Sequence, residues 1–166
     1  SGIATTIMSN LGLERFLNQR GISMERTQVG DRYVVEHMRK SGFNLGGEQS
    51  GHIIMSDFST TGDGLIAGLQ FLAEIIRSNR DSKDLARIFE PIPQLLKNAA
   101  YKKGSDPLSK PNVLKAIKAA ELQLGGRGRL LIRKSGTEPL IRVMAESEDE
   151  EKMTRAVDSV VAEIIA

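Results

Sequence analysis

The sequence has 166 residues, no cysteine and only two histidines. Without cysteine the chain can form neither a disulfide framework nor a thiolate metal site. Two histidines cannot complete any metal site of recognised Cys/His spacing, so we expect no metal bound by this chain. The absence of thiols fits a reducing compartment, and we expect a cytoplasmic location.

Long apolar runs and an excess of one charge are also missing. No apolar run approaches the roughly 18 residues that a membrane-spanning helix needs. The 23 basic and 21 acidic residues nearly balance, which is not typical of nucleic-acid binders. Aromatic residues make up only 4% of the chain and offer no stacking platform for a single strand. We therefore expect neither a membrane nor a nucleic-acid partner.

The apolar residues that are present, 40% of the chain, suffice for a core in each of two small domains. Strands alternate with helices over 1–84, which predicts a small three-layer α/β domain. Pro91 and Pro93 mark a linker, 85–94. Over 95–166 the pattern predicts an α+β domain with helices on one face of an antiparallel sheet. The chain enters a strand-like run directly after Ser1 and Gly2, so we expect a piece of a longer protein.

Three local patterns give sharper structural predictions. Asp31 is placed to cap a helix that ends at Gly42. A helix after Asp63 carries an apolar stripe that we expect to face the core. The run Ser147–Glu150 has the form of a capping box at the start of the last helix. The stripe consists of Leu65, Leu69, Leu72 and Ile76.

The stretch 133–142 reads RKSGTEPLIR and lies between two apolar, strand-like runs. A Ser-Gly-Thr turn can point successive backbone N–H groups at an anion. Ser135 and Thr137 add hydroxyl donors, while Arg133 and Arg142 offer bidentate, charge-assisted bonds suited to phosphate. The residues alone leave two interpretations, a phosphate clamp or a polar hairpin turn with solvated arginines.

A second candidate site is the loop 46–52, GGEQSGH. Its glycines allow close approach of a ligand. Glu48 offers two acceptor oxygens to adjacent sugar hydroxyls, Ser50 a donor and an acceptor, and His52 a group that titrates near neutrality. Arg32, at the start of a helix that follows a strand, is a further ligand candidate. An ordinary hairpin loop with a structural histidine remains the alternative.

Together these stretches resemble the α-D-phosphohexomutase superfamily. The matching segments are VGDRYV (29–34), GEQSGH (47–52), TTGDG (60–64) and RKSGTEPLIRVM (133–144). Their order and spacing agree throughout the chain. Within the superfamily, the resemblance is strongest to the bacterial branch that interconverts glucosamine 6-phosphate and glucosamine 1-phosphate, on the route to UDP-N-acetylglucosamine.

The resemblance places the chain on the third and fourth of four family domains, the fourth related to the TATA-box-binding-protein-like fold. It implies that Glu48, Ser50 and Arg32 bind the sugar and that His52 lies near the reacting hydroxyl as a catalytic candidate. It also implies a clamp for the phosphate that is not transferred. The clamp residues are Arg133, Ser135, Gly136, Thr137 and Arg142.

The family's phosphoserine loop and its magnesium loop do not occur in this sequence. In the family, a phosphoserine donates its phosphoryl group, a 1,6-bisphosphate forms and reorients, and Mg²⁺ neutralises charge during each transfer. The resemblance therefore implies Mg²⁺ bound outside this chain. The expected partners are a phosphosugar substrate and the missing N-terminal domains, and a homodimer of the parent is allowed. We expect the chain to be inactive alone.

Two alternative functions stay open from the sequence. The parent could be a phosphomannomutase/phosphoglucomutase, although Gln49 and the run Asp31–Tyr33 favour the glucosamine branch. The chain could also be a stand-alone phosphosugar-binding module, which the missing Met start does not favour.

Overall fold

The computed structural model describes residues 1–166, which divide into two compact units, Ser1–Pro91 and Ile92–Ala166. Each unit contains its own sheet. The division falls within the predicted linker, 85–94, whose bounds remain a prediction. None of the helices combines the length and apolar character that crossing a membrane would need.

The N-terminal unit is built on a four-stranded sheet in the order β2-β1-β3-β4. The strands are β1 (Gly2–Thr6), β2 (Ser23–Thr27), β3 (Leu45–Gly47) and β4 (Ile53–Met55). β1 runs parallel to β2 and β3, and β4 runs antiparallel to β3. The helices are α1 (Leu11–Asn18), α2 (Asp31–Ser41), α3 (Gly64–Ser78) and the short α4 (Ser82–Ala86).

Helix α2 packs on β1 and β3, and the side chains between them form the core of this unit. Its buried side chains Val34 and Met38 meet Ala4 and Ile54. A Cβ at Gly46 would lie 2.6 Å from the Met38 sulfur and 2.7 Å from Val34 Cγ1. The missing side chain lets α2 lie close to β3, which fixes the start of α2 relative to the loop that follows β3.

The C-terminal unit has an antiparallel sheet in the order β5-β7-β6, with α5 and α6 packed on one face. Its elements are β5 (Gln94–Ala100), α5 (Pro111–Leu124), β6 (Arg129–Lys134), β7 (Leu140–Glu146) and α6 (Glu150–Ile165). Ile141, Val143 and Ala145 are fully buried at alternate positions of β7. Because side chains alternate along a strand, Arg142 lies on the face opposite that core.

The predicted fold class, an α/β domain followed by an α+β domain, is confirmed. The predicted core face of α3 is wrong. Leu65, Leu69, Leu72 and Ile76 are 74%, 55%, 55% and 82% exposed, and α3 has no buried residue. Only the short strand β4 makes substantial contact with α3, so nothing in this unit covers the stripe.

Two predicted helix caps are also wrong. Gly30 rather than Asp31 is the N-cap of α2, with a φ of 132° that favours glycine. The Asp31 side chain instead accepts from the N–H of Arg32 at 2.7 Å. Asp149 caps α6 by accepting from the N–H of Lys152 at 3.0 Å. Ser147 accepts from the N–H of Asp149, so no capping box forms over Ser147–Glu150.

Candidate functional site

The predicted site residues form two groups, one in each unit. In the N-terminal unit, the loop between β3 and β4 brings Glu48, Ser50 and His52 together. The N–H of Glu48 donates to the carbonyl of His52 at 2.9 Å, which closes the base of the loop. The Ser50 hydroxyl lies 3.2 Å from His52 Nδ1, and the same nitrogen lies 3.8 Å from Glu48 Oε2. The three polar groups therefore share one small surface.

The Glu48 side chain is held by a backbone group from a distant part of the chain. Its Oε1 atom accepts from the N–H of Gly30 at 2.9 Å, although 18 residues separate the two. The carboxylate is only 10% exposed, while the His52 side chain is 57% exposed. Oε1 is thus engaged, and Oε2 faces the imidazole. This hydrogen bond joins two of the segments that carry the family resemblance, 29–34 and 47–52.

Gly47 is a glycine because the backbone of His52 passes close to it. A Cβ at Gly47 would lie 2.7 Å from the carbonyl oxygen of His52, the same oxygen that accepts from Glu48. Any larger residue would therefore open the base of the loop. Gly47 contributes to the site by keeping Glu48 and His52 close together.

A cavity of about 370 Å³ opens beside this loop. Glu48, Gln49 and His52 line it together with Ser9 and Asn10, which follow β1. Ser9 and Asn10 were not predicted as site residues. The signal that points to them is their position after the carboxyl end of a parallel strand, where ligands gather in α/β sheets.

Arg32 lies in the first turn of α2, two residues after Gly30. Its guanidinium donates to the Tyr33 hydroxyl at 2.7 Å and lies over the Tyr33 ring, 4.5 Å from the centroid. This hydrogen bond raises the pKa of Arg32. The structure thus keeps Arg32 on the exposed surface near the segment that holds Glu48.

In the C-terminal unit, the clamp residues lie on β6, β7 and the loop between them. Arg133 on β6 stands directly opposite Arg142 on β7. Opposed residues of an antiparallel pair project from the same face, with Cβ atoms about 4.5–5.5 Å apart. Two positive charges are therefore placed side by side at the mouth of the loop 135–139.

Neither guanidinium is neutralised by a carboxylate within the chain. Arg133 Nε is buried and has no hydrogen-bond partner. Burial, and then the charge of Arg142, lower the pKa of Arg133. A buried donor without a partner is costly, and so is a pair of like charges. The arrangement suits an anion that accepts from both arginines.

The loop itself is organised by the Ser135 hydroxyl. It accepts from the N–H groups of Thr137 and Glu138, both at 3.4 Å, and lies 3.5 Å from the Thr137 hydroxyl. These distances are at the long limit for hydrogen bonds, so the bonds are weak. Gly136 has open space where a Cβ would stand. The N–H groups of Thr137 and Glu138 and the hydroxyls of Ser135 and Thr137 can therefore turn to a ligand with little loss of hydrogen-bond energy.

Two further polar residues adjoin the clamp. Asn98 on β5 stands opposite Arg142, so one row across the sheet reads Asn98, Arg142, Arg133. This neighbour was not predicted, because strand register over more than 40 residues is not readable from the sequence. Lys134 donates to Asp106 at 2.7 Å, which raises the pKa of Lys134. This ion pair adjoins the clamp loop without neutralising Arg133 or Arg142.

No three His, Cys, Asp or Glu side chains converge anywhere in residues 1–166. Magnesium is held by oxygen ligands, chiefly carboxylates and water. The residues of this chain therefore do not form a cage of protein carboxylates for Mg²⁺.

Comparison with known proteins agrees with the fold. Residues 1–92 match the family described as "Phosphoglucomutase/phosphomannomutase, alpha/beta/alpha domain III", and residues 96–163 match the C-terminal domain of that family. The chain resembles N-acetylphosphoglucosamine mutase of Aspergillus fumigatus with a TM-score of 0.81 at 17% identity. The likeness covers 99% of this chain and 38% of that one, and it shows the fold alone.

Curated relatives are much more similar in sequence. The chain is 68% identical over 164 residues to phosphoglucosamine mutase of Ruegeria sp. (strain TM1040), covering 99% of this chain and 37% of the relative. It is 69% identical over 159 residues to phosphoglucosamine mutase of Ruegeria pomeroyi, covering 96% and 36%. The chain thus spans little more than a third of the relatives it matches. The resemblance found in the sequence is confirmed: the chain belongs to the phosphoglucomutase/phosphomannomutase family, of which it carries the third α/β/α domain and the C-terminal domain.

Proposed function

We propose that this chain is the sugar-recognising and phosphate-holding part of a phosphoglucosamine mutase. The parent protein interconverts glucosamine 6-phosphate and glucosamine 1-phosphate. The observation that carries the proposal is the pair Arg133 and Arg142, opposed on one face with an unpartnered Nε and no carboxylate counterion. The names of relatives that are 68% and 69% identical support the choice of sugar.

The clamp holds the phosphate that does not react. Two guanidiniums supply bidentate, charge-assisted bonds, and Ser135, Gly136 and Thr137 supply neutral donors at a site without a bulky side chain. Both monophosphates present one fixed phosphate to this clamp. Holding this phosphate away from the reacting atoms orients the sugar, because it fixes the position of the reacting hydroxyl relative to the catalytic groups.

The loop 47–52 reads the sugar ring. Glu48 accepts from adjacent hydroxyls with the oxygen that Gly30 leaves free, and Ser50 adds a donor. Arg32 lies close enough in sequence to Gly30 to contribute a charged donor at the same edge of the sheet. His52 is the candidate to exchange a proton with the reacting hydroxyl, because it is exposed, polar and near the Glu48 carboxylate.

The remaining chemistry belongs to the part of the protein outside this chain. We propose that the nucleophilic serine and the Mg²⁺ site lie there, and that residues 1–166 alone do not turn over substrate. One structural neighbour, an Aspergillus fumigatus enzyme, was solved with GlcNAc-6P and magnesium. Phosphorylated sugars are charged and do not cross membranes unaided, so a cytoplasmic location accompanies the proposal.

The test is an amide NMR titration of the 166-residue chain. Glucosamine 6-phosphate is the ligand, and inorganic phosphate, glucosamine and mannose 6-phosphate are the controls. Inorganic phosphate should shift residues 133–142 alone, whereas glucosamine 6-phosphate should shift both 133–142 and 47–52. Half a site should bind at roughly millimolar affinity, about −4 kcal/mol.

Two results would count against the proposal. Shifts elsewhere in a folded sample, with none at 133–142, would exclude these residues as a phosphate-binding site. A larger response of residues 47–52 to mannose 6-phosphate than to glucosamine 6-phosphate would favour a phosphomannomutase/phosphoglucomutase over the glucosamine enzyme.

A further inference from the structure

The strands of the C-terminal unit carry basic residues of two kinds, those with an acidic partner and those without. The paired ones are Lys97 with Asp158, Arg129 with Glu146 and Lys134 with Asp106. The other two are Arg133 and Arg142, which stand opposite each other. The sheet therefore neutralises every other basic side chain on its strands and leaves the charge of the clamp pair uncompensated.

Asn98 occupies the position at which a counterion for this pair would fit. It stands opposite Arg142 on β5, on the side of β7 away from Arg133. Opposed residues of an antiparallel pair have Cβ atoms about 4.5–5.5 Å apart, and opposite charges at such positions stabilise a sheet. Aspartate has nearly the shape of asparagine and would pair with Arg142 here. The chain has a neutral amide instead.

Asparagine is also an unfavourable choice for this strand. It is depleted in β-strands, and its neighbours on the same face of β5 are the apolar residues Leu96 and Ala100. The Asn98 side chain is exposed, whereas Ala99, on the other face, is fully buried. Neither burial nor strand preference therefore accounts for Asn98, and local mismatches of this kind are expected chiefly at functional sites.

We propose that Asn98 positions Arg142 for the anion and keeps the clamp positively charged. This inference rests on the proposed phosphate clamp. An amide oxygen accepts a hydrogen bond, and a guanidinium has several N–H donors, so Asn98 can hold Arg142 while other donors stay available to the phosphate. A carboxylate at this position would hold Arg142 more strongly, but it would also cancel the charge and repel the phosphate. The neutral amide orients Arg142 without neutralising it.

Three variants of the 166-residue chain test the proposal. Asn98→Asp keeps the shape of the side chain and adds a negative charge, and Asn98→Leu removes the polar atoms. The matched control is Gln123→Glu, which adds the same charge at an exposed position of α5, on the opposite face of the sheet. Inorganic phosphate is titrated into each protein while amide NMR follows residues 133–142. Urea unfolding measures the stability of each protein.

We expect Asn98→Asp to weaken phosphate binding at least about 10-fold, because it places a negative charge beside the bound anion. The same variant should be at least as stable as the natural chain, because aspartate pairs with Arg142. A merely structural role of Asn98 does not predict a loss of affinity without a loss of stability. Asn98→Leu should weaken binding about 3- to 10-fold, the effect of one hydrogen bond. Gln123→Glu should bind like the natural chain.

Three results would overturn the role of Asn98 while the clamp stands. They are unchanged phosphate affinity in Asn98→Leu, equal weakening in Asn98→Asp and Gln123→Glu, and an Asn98→Asp protein that is less stable than the natural chain. The second result would mean that only net charge matters, and the third would contradict pairing with Arg142. No response of residues 133–142 to phosphate in the natural chain would instead overturn the clamp, and this inference with it.

Discussion

Arg133 and Arg142 stand directly opposite each other on β6 and β7, and neither guanidinium has a carboxylate partner within the chain. Like charges at opposed positions destabilise a sheet unless something neutralises them. Natural sequences retain such unfavourable pairs chiefly at functional sites. The pair is therefore better explained by a bound anion than by the stability of the C-terminal unit.

Replacing Arg142 by alanine should weaken the binding of both monophosphates to the full-length protein by similar factors. Each charge-assisted hydrogen bond that is lost costs about 1.5–3 kcal/mol, or roughly 10- to 100-fold in affinity. Calorimetric titration with glucosamine 6-phosphate and glucosamine 1-phosphate measures both values. Arg155→Ala, on the exposed side of α6, removes the same charge away from the clamp and should leave both affinities unchanged. Loss of affinity for one ligand only would exclude a shared clamp.

Gly30 and Gly42 offer a matched pair of substitutions at the two ends of α2. Both have positive φ, 132° and 69°, so alanine strains the backbone at each. The expected cost is about 1–3 kcal/mol at Gly30 and about 1–2 kcal/mol at Gly42. Only the Gly30 amide holds Glu48, so only Gly30→Ala should also reduce the shifts that glucosamine 6-phosphate causes in residues 47–52. Urea unfolding and the NMR titration measure the two effects, and equal ligand responses in both variants would contradict a positioning role for Gly30.

Much of this arrangement could be predicted from the sequence, because it depends on local patterns. The apolar runs on each side of residues 133–142 are strands, and the turn residues between them form the loop. The hydrogen bond from Gly30 to Glu48 joins residues 18 positions apart. It also involves Gly30 as the N-cap of α2 with a positive φ, whereas the sequence predicted Asp31 as the cap. The place of Asn98 beside Arg142 depends on strand register across the whole C-terminal unit. Neither relationship leaves a periodic signal in the sequence.

Helix α3 shows a different limit. Its apolar stripe predicts a face that packs on the core, and this prediction is wrong because periodicity alone does not say whether a surface is present to cover that face. Leu69 and Leu72 are each 55% exposed, and no element of the N-terminal unit covers them.

Breaking the ion pair of Arg129 and Glu146, at the other end of the C-terminal sheet, should destabilise that sheet. Glu146 is completely buried, and the Arg129 side chain is 18% exposed, with Nε 2.5 Å from Glu146 Oε2. Arg129→Met should cost about 3–5 kcal/mol, because it removes the arginine counterion of a completely buried carboxylate. The double variant Arg129→Met, Glu146→Leu should recover most of this loss. Chemical denaturation of the three proteins measures the coupling, and additive losses would rule out a dependence of Glu146 on Arg129.

Asp149 should make the C-terminal unit more stable at neutral than at acidic pH. The hydrogen bond from the Lys152 N–H, followed by the Lys152 side chain, lowers the pKa of the Asp149 carboxyl. The unfolded chain then binds the proton more readily, so the stabilisation is present above the unfolded pKa and is lost as pH falls through the folded pKa. Asp149→Asn keeps a capping acceptor without the charge. Its deficit against the natural chain should be measurable near neutral pH and shrink as pH falls through the folded pKa of Asp149. Denaturant melts across this range measure the difference, and a constant deficit would refute the linkage.

The Ser135 hydroxyl accepts only weak hydrogen bonds from the loop amides, whereas Arg133 and Arg142 stand opposite each other with no carboxylate partner. An anion at this site would gain from the loop amides, which are only weakly bonded, and more strongly from the two positive charges. Attraction between partly exposed charges is screened by salt, with a Debye length of about 30 Å at 0.01 M and about 8 Å at 0.15 M ionic strength. A phosphate bound between the two arginines would consequently be held less tightly as ionic strength rises. Binding of inorganic phosphate to residues 133–142 should therefore be weaker at about 0.15 M than at about 0.01 M ionic strength.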